Sequence, residues 1–152
     1  MIATMTQQSR PPTSLVRAAM TIPAVSGGPL TLLRLEGATA LIGASIAYAA
    51  QGGSWGMFAL FFLLPDLSML GYLAGPRIGA ACYNGAHTYL GPALVAGLGM
   101  TLVGHGLTLG ACIWAAHVGF DRLLGYGLKY GTSFGDTHLG RRGRLGTSSQ
   151  ET

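Results

Sequence analysis

Four apolar stretches dominate this chain of 152 residues, and each is long enough to cross the hydrocarbon core of a bilayer. They cover residues 30–50, 55–73, 77–103 and 107–128. A transmembrane helix needs about 20 mostly apolar residues, and the connections between these stretches are short. The sequence therefore predicts an all-α fold, a polytopic membrane protein with four transmembrane helices in an up-down bundle.

The composition supports a membrane class. Only 9% of the residues are charged and 49% are hydrophobic, whereas soluble domains carry about 25% charged residues. The mean hydropathy is +0.44. A soluble globule of this length could not cover its surface with so few charges, so the lipid bilayer is the expected environment.

The two ends of the chain differ from the middle. Residues 1–29 contain Pro, Gly, Ser and Thr without an apolar run, which predicts a flexible cytoplasmic arm and no cleaved signal peptide. Residues 30–130 form the predicted four-helix domain. Residues 131–152 are polar, basic and rich in Gly, and are predicted to form a cytoplasmic tail.

The basic residues predict the orientation of the helices. All nine lie before or within the first helix, at the start of the third, or at and beyond the end of the fourth: Arg10, Arg17, Arg34, Arg77, Arg122, Lys129, Arg141, Arg142 and Arg144. The other two loops, residues 51–54 and 104–106, contain no Lys or Arg. The positive-inside rule then places both termini in the cytoplasm.

The same charges bear on the partners of the chain. The net charge of +4 and a pI near 9.4 suit contact with anionic lipid headgroups at the cytoplasmic face. Nucleic acid is not an expected partner, because the basic residues form no helix face with interleaved aromatic residues.

Polar residues within the four predicted helices occur at similar depth, in the cytoplasmic half or near the midplane. The candidates are Glu36, Asp66, Tyr72, Asn84, His87, His117, Asp121 and Arg122. A charge near the bilayer centre costs at least ~2.5–3.5 kcal/mol per residue. These side chains are therefore predicted to face one another in a shared site that opens toward the cytoplasm.

Two prolines interrupt the predicted helices. Pro65 directly precedes Asp66, and Pro92 lies in the third helix. A proline inside a helix removes one backbone hydrogen bond and produces a kink. The sequence predicts a kink immediately before Asp66, although a tolerated bend without a functional role explains the same pattern.

Three hypotheses account for the polar cluster. In the first, His87, His117 and a carboxylate from Asp121 or Asp66 bind a divalent metal such as Zn, Fe or Mn. In the second, His87 and His117 bind haem b. In the third, the cluster is a hydrogen-bond and ion-pair network that needs no cofactor and specifies helix packing or binds a small ligand. The sequence favours the network, because it contains no HExxH or repeated HxxxH motif.

The motif "FGDTHLG" follows the last helix and suggests a lid. Asp136 and His138 are predicted either to fold back over the cytoplasmic mouth of the site or to be ordinary loop residues.

Four blocks in the same order resemble a known family: "LLRLEG", "FLLPDLSMLGYLAGPRIGAACYNGAHTY", "HVGFDRLLGYGLKY" and "FGDTHLG". The resemblance covers residues 30–140 and is to a bacterial family of small four-helix membrane proteins catalogued as a domain of unknown function. It implies the fold, the domain limits and the importance of the polar blocks. The expected location is the bacterial inner membrane. The resemblance implies no substrate, cofactor or catalytic residue.

The sequence thus predicts a multi-pass integral membrane protein with a buried His/Asp/Arg cluster, acting as a binding or accessory protein. The alternative is a small membrane metalloenzyme that acts on a lipid-soluble substrate. A solute pathway through only four helices would require a homo-oligomer.

Overall fold

The computed structural model describes residues 24–141, which form an all-α fold with one small β-hairpin. The predicted fold class is confirmed at this level. Most of the predicted N-terminal arm and the distal part of the tail lie outside the described residues. The elements are α1 (Gly27–Ala50), α2 (Trp55–Phe62), a 3-10 helix (Leu64–Ala74), α3 (Pro76–Ala86), α4 (Leu90–Leu98), a π-helical turn (Gly99–Val103), α5 (His105–Leu124), β1 (Asp136–Thr137) and β2 (Gly140–Arg141).

Glycines allow α1 and α5 to pack closely. A Cβ atom on Gly37 would lie 2.8 Å from the carbonyl oxygen of Gly119, and one on Gly119 would lie 2.7 Å from the carbonyl oxygen of Gly37. Nearby, Arg34 Nε donates a hydrogen bond of 2.8 Å to the carbonyl oxygen of Leu123. Since lower numbers on α1 meet higher numbers on α5, the two helices are antiparallel.

The second predicted helix changes its geometry at Pro65 instead of kinking within a continuous α-helix. Pro65 is the second residue of the 3-10 helix Leu64–Ala74. An N–H group at this position would have no partner within the helix, so proline costs no hydrogen bond there. A 3-10 helix has three residues per turn, so residues three apart lie in line along one face. Asp66, Met69 and Tyr72 consequently share one face.

The third predicted helix is interrupted, which the sequence analysis did not predict. α3 ends at Ala86, α4 begins at Leu90, and His87 occupies the C-terminal cap of α3. In an uninterrupted helix the ring of Pro92 would clash with the carbonyl group of Thr88. The break removes this clash and leaves His87 at a helix end.

Two helical segments have the length and apolar composition of a membrane-crossing helix, Gly27–Ala50 and Trp55–Ala74. Only 6% and 0% of their most apolar stretches are buried within the fold. Large side chains such as Leu60 and Leu70 are 70% and 62% exposed. Their apolar faces therefore point away from the protein core, unlike those of a core helix in a soluble domain.

The C-terminal segment, defined here as residues 125–141, folds back against α3. The Asn84 side chain accepts a hydrogen bond of 2.7 Å from the Lys129 N–H group and donates one of 2.8 Å to the Lys129 carbonyl oxygen. The Val25 N–H group donates to the carbonyl oxygen of His138 at 3.1 Å. The described part of the predicted tail is thus packed on the helices.

Candidate metal centre

Four ionisable side chains from three elements converge between the helices. The 3-10 helix contributes Asp66, the end of α3 contributes His87, and α5 contributes His117 and Asp121. One nitrogen or oxygen atom from each residue lies within 4.8 Å of the corresponding atoms of the other three. The sequence predicted these four residues as neighbours, and the structure brings them together.

The distances at the centre are short. His87 Nε2 lies 3.1 Å from His117 Nε2, 3.3 Å from Asp66 Oδ1 and 3.6 Å from Asp121 Oδ2. His117 Nε2 lies 3.6 Å from Asp66 Oδ1. Helical periodicity explains part of this convergence, because His117 and Asp121 are four residues apart and share one face of α5.

The orientation of His87 is fixed by Tyr83. His87 Nδ1 lies 2.9 Å from the carbonyl oxygen of Tyr83, and a carbonyl oxygen only accepts hydrogen bonds, so Nδ1 carries the proton. The two rings stack with centroids 3.7 Å apart. A neutral His87 therefore directs the lone pair of Nε2 at the centre, the usual arrangement of a metal-binding histidine.

The centre is closed on most sides. The side chains of His87, His117 and Asp121 are 0%, 1% and 11% exposed, whereas that of Asp66 is 30% exposed. Tyr83 donates its hydroxyl hydrogen to Asp121 Oδ2 at 2.9 Å and so holds this carboxylate in place. Access from outside is therefore through the side formed by Asp66.

His117 is held by packing. Its ring meets that of Phe62 edge to face with centroids 5.4 Å apart. Its Nδ1 atom is buried and has no hydrogen-bond partner among residues 24–141. The polar contacts of the imidazole within residues 24–141 are therefore those of Nε2, with His87 and Asp66 at the centre.

The four atoms fit the coordination sphere of a divalent transition metal. At metal–ligand distances of about 2.0–2.1 Å, tetrahedral ligand atoms lie about 3.3 Å from one another. Four of the six pairs of these atoms lie 3.1–3.6 Å apart, and all six lie within 4.8 Å, so a small movement of the Asp121 carboxylate completes the sphere. Two imidazoles and two carboxylates are a ligand set that Zn, Fe and Mn accept.

Haem b does not fit this centre. A haem with two histidine ligands has its macrocycle between the two imidazoles. Here the nitrogens of His87 and His117 are in direct contact at 3.1 Å.

A cavity of about 360 Å³ borders the centre. Its wall contains both carboxylate residues together with aromatic and apolar side chains: Asp66, Met69, Tyr83, Phe120, Asp121, Leu124, Tyr126, Lys129 and Phe134. The ligand atoms of the centre are thus reached from a chamber large enough for part of a small molecule.

Lys129 also lines the cavity, although it was not among the predicted site residues. It is 9% exposed, and its Nζ atom lies 3.2 Å from the centroid of the Phe134 ring and 4.5 Å from that of Tyr83. Burial lowers the pKa of Lys129, while the Asp121 and Asp66 carboxylates oppose this shift. A sequence signal existed, since Lys129 is the only lysine and directly follows the last predicted apolar stretch, residues 107–128.

Three other predicted site residues surround the centre without contributing an atom to it. Arg122 donates hydrogen bonds to the carbonyl oxygens of His87 at 2.8 Å and Tyr126 at 2.6 Å. Asn84 binds the backbone of Lys129, and the Tyr72 ring packs edge to face against Phe134. They support the surrounding backbone and the C-terminal segment.

Glu36 was predicted to belong to the cluster, but the structure places it outside. Its side chain is exposed. The neighbouring residue Gly37 faces α5, and consecutive residues of an α-helix point about 100° apart. Glu36 is therefore turned from the side of α1 that meets α5, and it contributes no atom to the centre.

The two predicted lid residues, Asp136 and His138, lie in the C-terminal segment and form hydrogen bonds within it. Asp136 accepts a hydrogen bond of 2.7 Å from the hydroxyl group of Thr132, and His138 Nδ1 accepts one of 2.8 Å from the Leu128 N–H group. Burial lowers the pKa of His138, in keeping with a neutral ring that accepts this bond. Neither residue lines the cavity, whereas Phe134 does.

Fold and centre together define a class, a small helical protein with a buried cluster of two histidines and two aspartates. Residues 30–142 match the model of the family described as Domain of unknown function (DUF4260), so the chain belongs to that family. The predicted resemblance to a family of unknown function is confirmed. No curated protein and no solved structure matches the chain.

Proposed function

We propose that this chain is a multi-pass membrane protein that binds one divalent transition-metal ion through Asp66, His87, His117 and Asp121. The observation that carries the proposal is the convergence of two imidazole nitrogens and two carboxylate oxygens, all within 4.8 Å of one another and with four contacts of 3.1–3.6 Å. The hydrogen bond from His87 Nδ1 to Tyr83 supports it, because it leaves the Nε2 lone pair free for a metal.

Charge favours a metal over a network that needs no cofactor. Within residues 24–141 the ion-pair contacts of Asp66 and Asp121 are with the two histidines. With Nδ1 protonated, a neutral His87 has no Nε2 proton to donate to either carboxylate. With both histidines neutral, the two carboxylates outweigh the single Lys129 ammonium group in the same cavity. Excess negative charge in a low-dielectric site is costly, and a divalent cation offsets it.

The distribution of charge supports a membrane orientation. Arg34 bonds to the end of α5, and Arg77 lies against Gly131, so these basic residues are at the same end of the bundle as the C-terminal segment. The two loops without Lys or Arg meet at the other end, where Gly52 and His105 line a common cavity. We infer that the end with Arg34 and Arg77 faces the cytoplasm.

A second function, catalysis by the bound metal, is favoured by the cavity. Structural zinc sites are closed, whereas catalytic sites keep one position open to water or substrate. The exposed part of Asp66 and the adjoining cavity of about 360 Å³ provide this opening. A metal here would supply activated water or polarise a substrate oxygen, which suits hydrolysis or rearrangement of a lipid-soluble compound.

Metal content and zinc affinity test the proposal. The protein is purified in mild detergent without added metal, its metal is measured by mass spectrometry, and Zn²⁺ is then titrated into chelator-treated protein. We expect one equivalent of metal per chain, and its loss in His87→Ala and Asp121→Asn. The matched control is His105→Ala, which removes an exposed histidine outside the cluster.

Thermal unfolding in detergent distinguishes a variant that has lost its metal site from one that has failed to fold. Zinc should raise the unfolding temperature of the wild type and of His105→Ala, but not of the two cluster variants. A folded wild-type protein that takes up no Zn²⁺, Fe²⁺ or Mn²⁺ would refute the metal site and leave the cofactor-free network as the explanation.

A further inference from the structure

The Lys129 ammonium group has no acidic partner in the described structure. Its Nζ atom lies against the rings of Phe134, Tyr83 and Tyr72. The residue lines the same cavity as both aspartates. Among residues 24–141 no ion pair of Lys129 is present, so a buried cation faces a cavity with its charge unmatched at close range.

The net charge around this cavity depends on the metal. Two carboxylates and one ammonium group leave one net negative charge when both histidines are neutral. A bound divalent cation reverses this to one net positive charge and becomes the largest local charge. The metal-loaded cavity therefore attracts an anion, and the metal-free cavity does not.

The rest of the wall is aromatic or apolar, with two tyrosines, Tyr83 and Tyr126. Phe120, Leu124 and Phe134 line the cavity and are 36%, 37% and 55% exposed. Phe120 and Leu124 lie on α5, and if α5 crosses the bilayer these two side chains contact lipid chains more readily than water. A ligand that enters past them must have an apolar part as well as a charged head.

We propose that this cavity binds the oxyanion head of a single-chain amphiphile, such as a carboxylate or a phosphate monoester, between Lys129 and the bound metal. This proposal rests on the proposed metal site. Lys129 and the metal account for the negative head, the apolar rim accounts for the chain, and the volume of about 360 Å³ suits one chain better than two.

Linkage between the two ligands provides the test. If an oxyanion contacts the metal, it raises the affinity for the metal by the same factor as the metal raises the affinity for the oxyanion. Zn²⁺ affinity is measured for the protein in phosphatidylcholine nanodiscs with no addition, with dodecyl phosphate, with methyl phosphate and with dodecanol. Methyl phosphate represents a water-soluble source of the same head, and dodecanol represents the chain alone.

Two variants of Lys129 accompany the wild type. Lys129→Met removes the charge but keeps the stem, and Lys129→Arg keeps the charge. Both should fold, because Asn84 holds the backbone of residue 129 and not its side chain. Arg77→Gln is the control for loss of a basic residue outside the cavity.

We expect dodecyl phosphate to raise the Zn²⁺ affinity of the wild type, Lys129→Arg and Arg77→Gln by about 5-fold or more, within the usual range of coupling. It should have a much smaller effect on Lys129→Met, although that variant binds zinc alone at least as well as the wild type does, because a positive charge near the metal is removed. Methyl phosphate and dodecanol should have little effect. An equal rise in Lys129→Met and wild type would trace the effect to membrane surface charge and overturn the proposal.

The remaining outcomes separate the two proposals. Zinc binding that no probe enhances would refute the oxyanion site and leave the metal site intact. An enhancement by methyl phosphate equal to that by dodecyl phosphate would overturn the amphiphile and indicate a water-soluble oxyanion. Failure of the wild type to bind zinc at all would overturn the proposed function, and the amphiphile site with it.

Discussion

Tyr83 contributes to the centre through three different groups. Its carbonyl oxygen accepts the Nδ1 proton of His87, its ring stacks on the His87 imidazole, and its hydroxyl group donates to Asp121. Only the last contact depends on the phenol oxygen. One atom of one side chain can therefore be removed without changing any of the four proposed metal ligands.

Tyr83→Phe should weaken metal binding without abolishing it. The ring and the backbone contact with His87 remain, but Asp121 loses a hydrogen bond that orients its carboxylate. Loss of such outer contacts commonly lowers metal affinity about 10–100-fold, and we expect a change of this size in Zn²⁺ affinity measured by competition with a chelator. Tyr130→Phe, at a more exposed tyrosine, should bind zinc as the wild type does; an unchanged affinity in Tyr83→Phe would show that Asp121 needs no such support.

The sequence predicts the members of the centre but not their surroundings. Asp66, His87, His117 and Asp121 were recognisable because ionisable residues at similar depth in apolar segments must face one another. Lys129 was missed because its position depends on how the C-terminal segment packs against α3, and no periodic pattern in the sequence predicts that packing. Glu36 was misplaced because depth along a helix does not fix the face on which a residue lies.

At the scale of elements, the contact between α1 and α5 depends on the absence of two side chains. A Cβ atom on Gly37 would lie 2.6 Å from Arg122 Cβ and 2.7 Å from the Leu123 nitrogen. Backbone atoms cannot move aside as the end of a flexible side chain can. By contrast, a Cβ atom on Gly43, in the same helix, would meet nothing within 4 Å.

Gly37→Ala should therefore destabilise the protein by about 1–3 kcal/mol, the usual range for overpacking. Gly43→Ala should leave the stability unchanged or raise it by up to about 1 kcal/mol, because alanine favours a helix over glycine. Reversible unfolding of the detergent-solubilised protein measures both. Equal effects of the two substitutions would show that α1 and α5 are not in the close contact described.

The breaks in the helices were only partly predictable. Pro65 and Pro92 were both visible in the sequence, but a proline in an apolar segment is compatible with a bend, a break or a change of helix type. At Pro65 the chain changes to a 3-10 helix, and before Pro92 it breaks. Which outcome occurs depends on tertiary contacts, such as those that hold His87 at the end of α3.

At the scale of the whole molecule, the orientation in the membrane is the most direct prediction. A reporter fused after Thr152 should be cytoplasmic, and one inserted at Gly52 should be external, because all nine basic residues avoid the loop that contains Gly52. Paired cytoplasmic and periplasmic reporters in a bacterial host measure this. An external Thr152 would place the cavity beside the metal centre at the opposite face of the membrane.

The long 3-10 helix also determines how far residues 64–74 extend along the helix axis. This geometry rises about 2.0 Å per residue and an α-helix about 1.5 Å, so the 11 residues of Leu64–Ala74 extend about 5 Å further than they would as an α-helix. Asp66, near the start of the helix, and Tyr72, near its end, are spaced by this stretch. A thinner bilayer that favoured the more compact α-helix would bring the two residues closer together and rotate them away from their common face. The thickness of the surrounding lipid would then change the geometry of the centre and of the C-terminal segment that packs beside it.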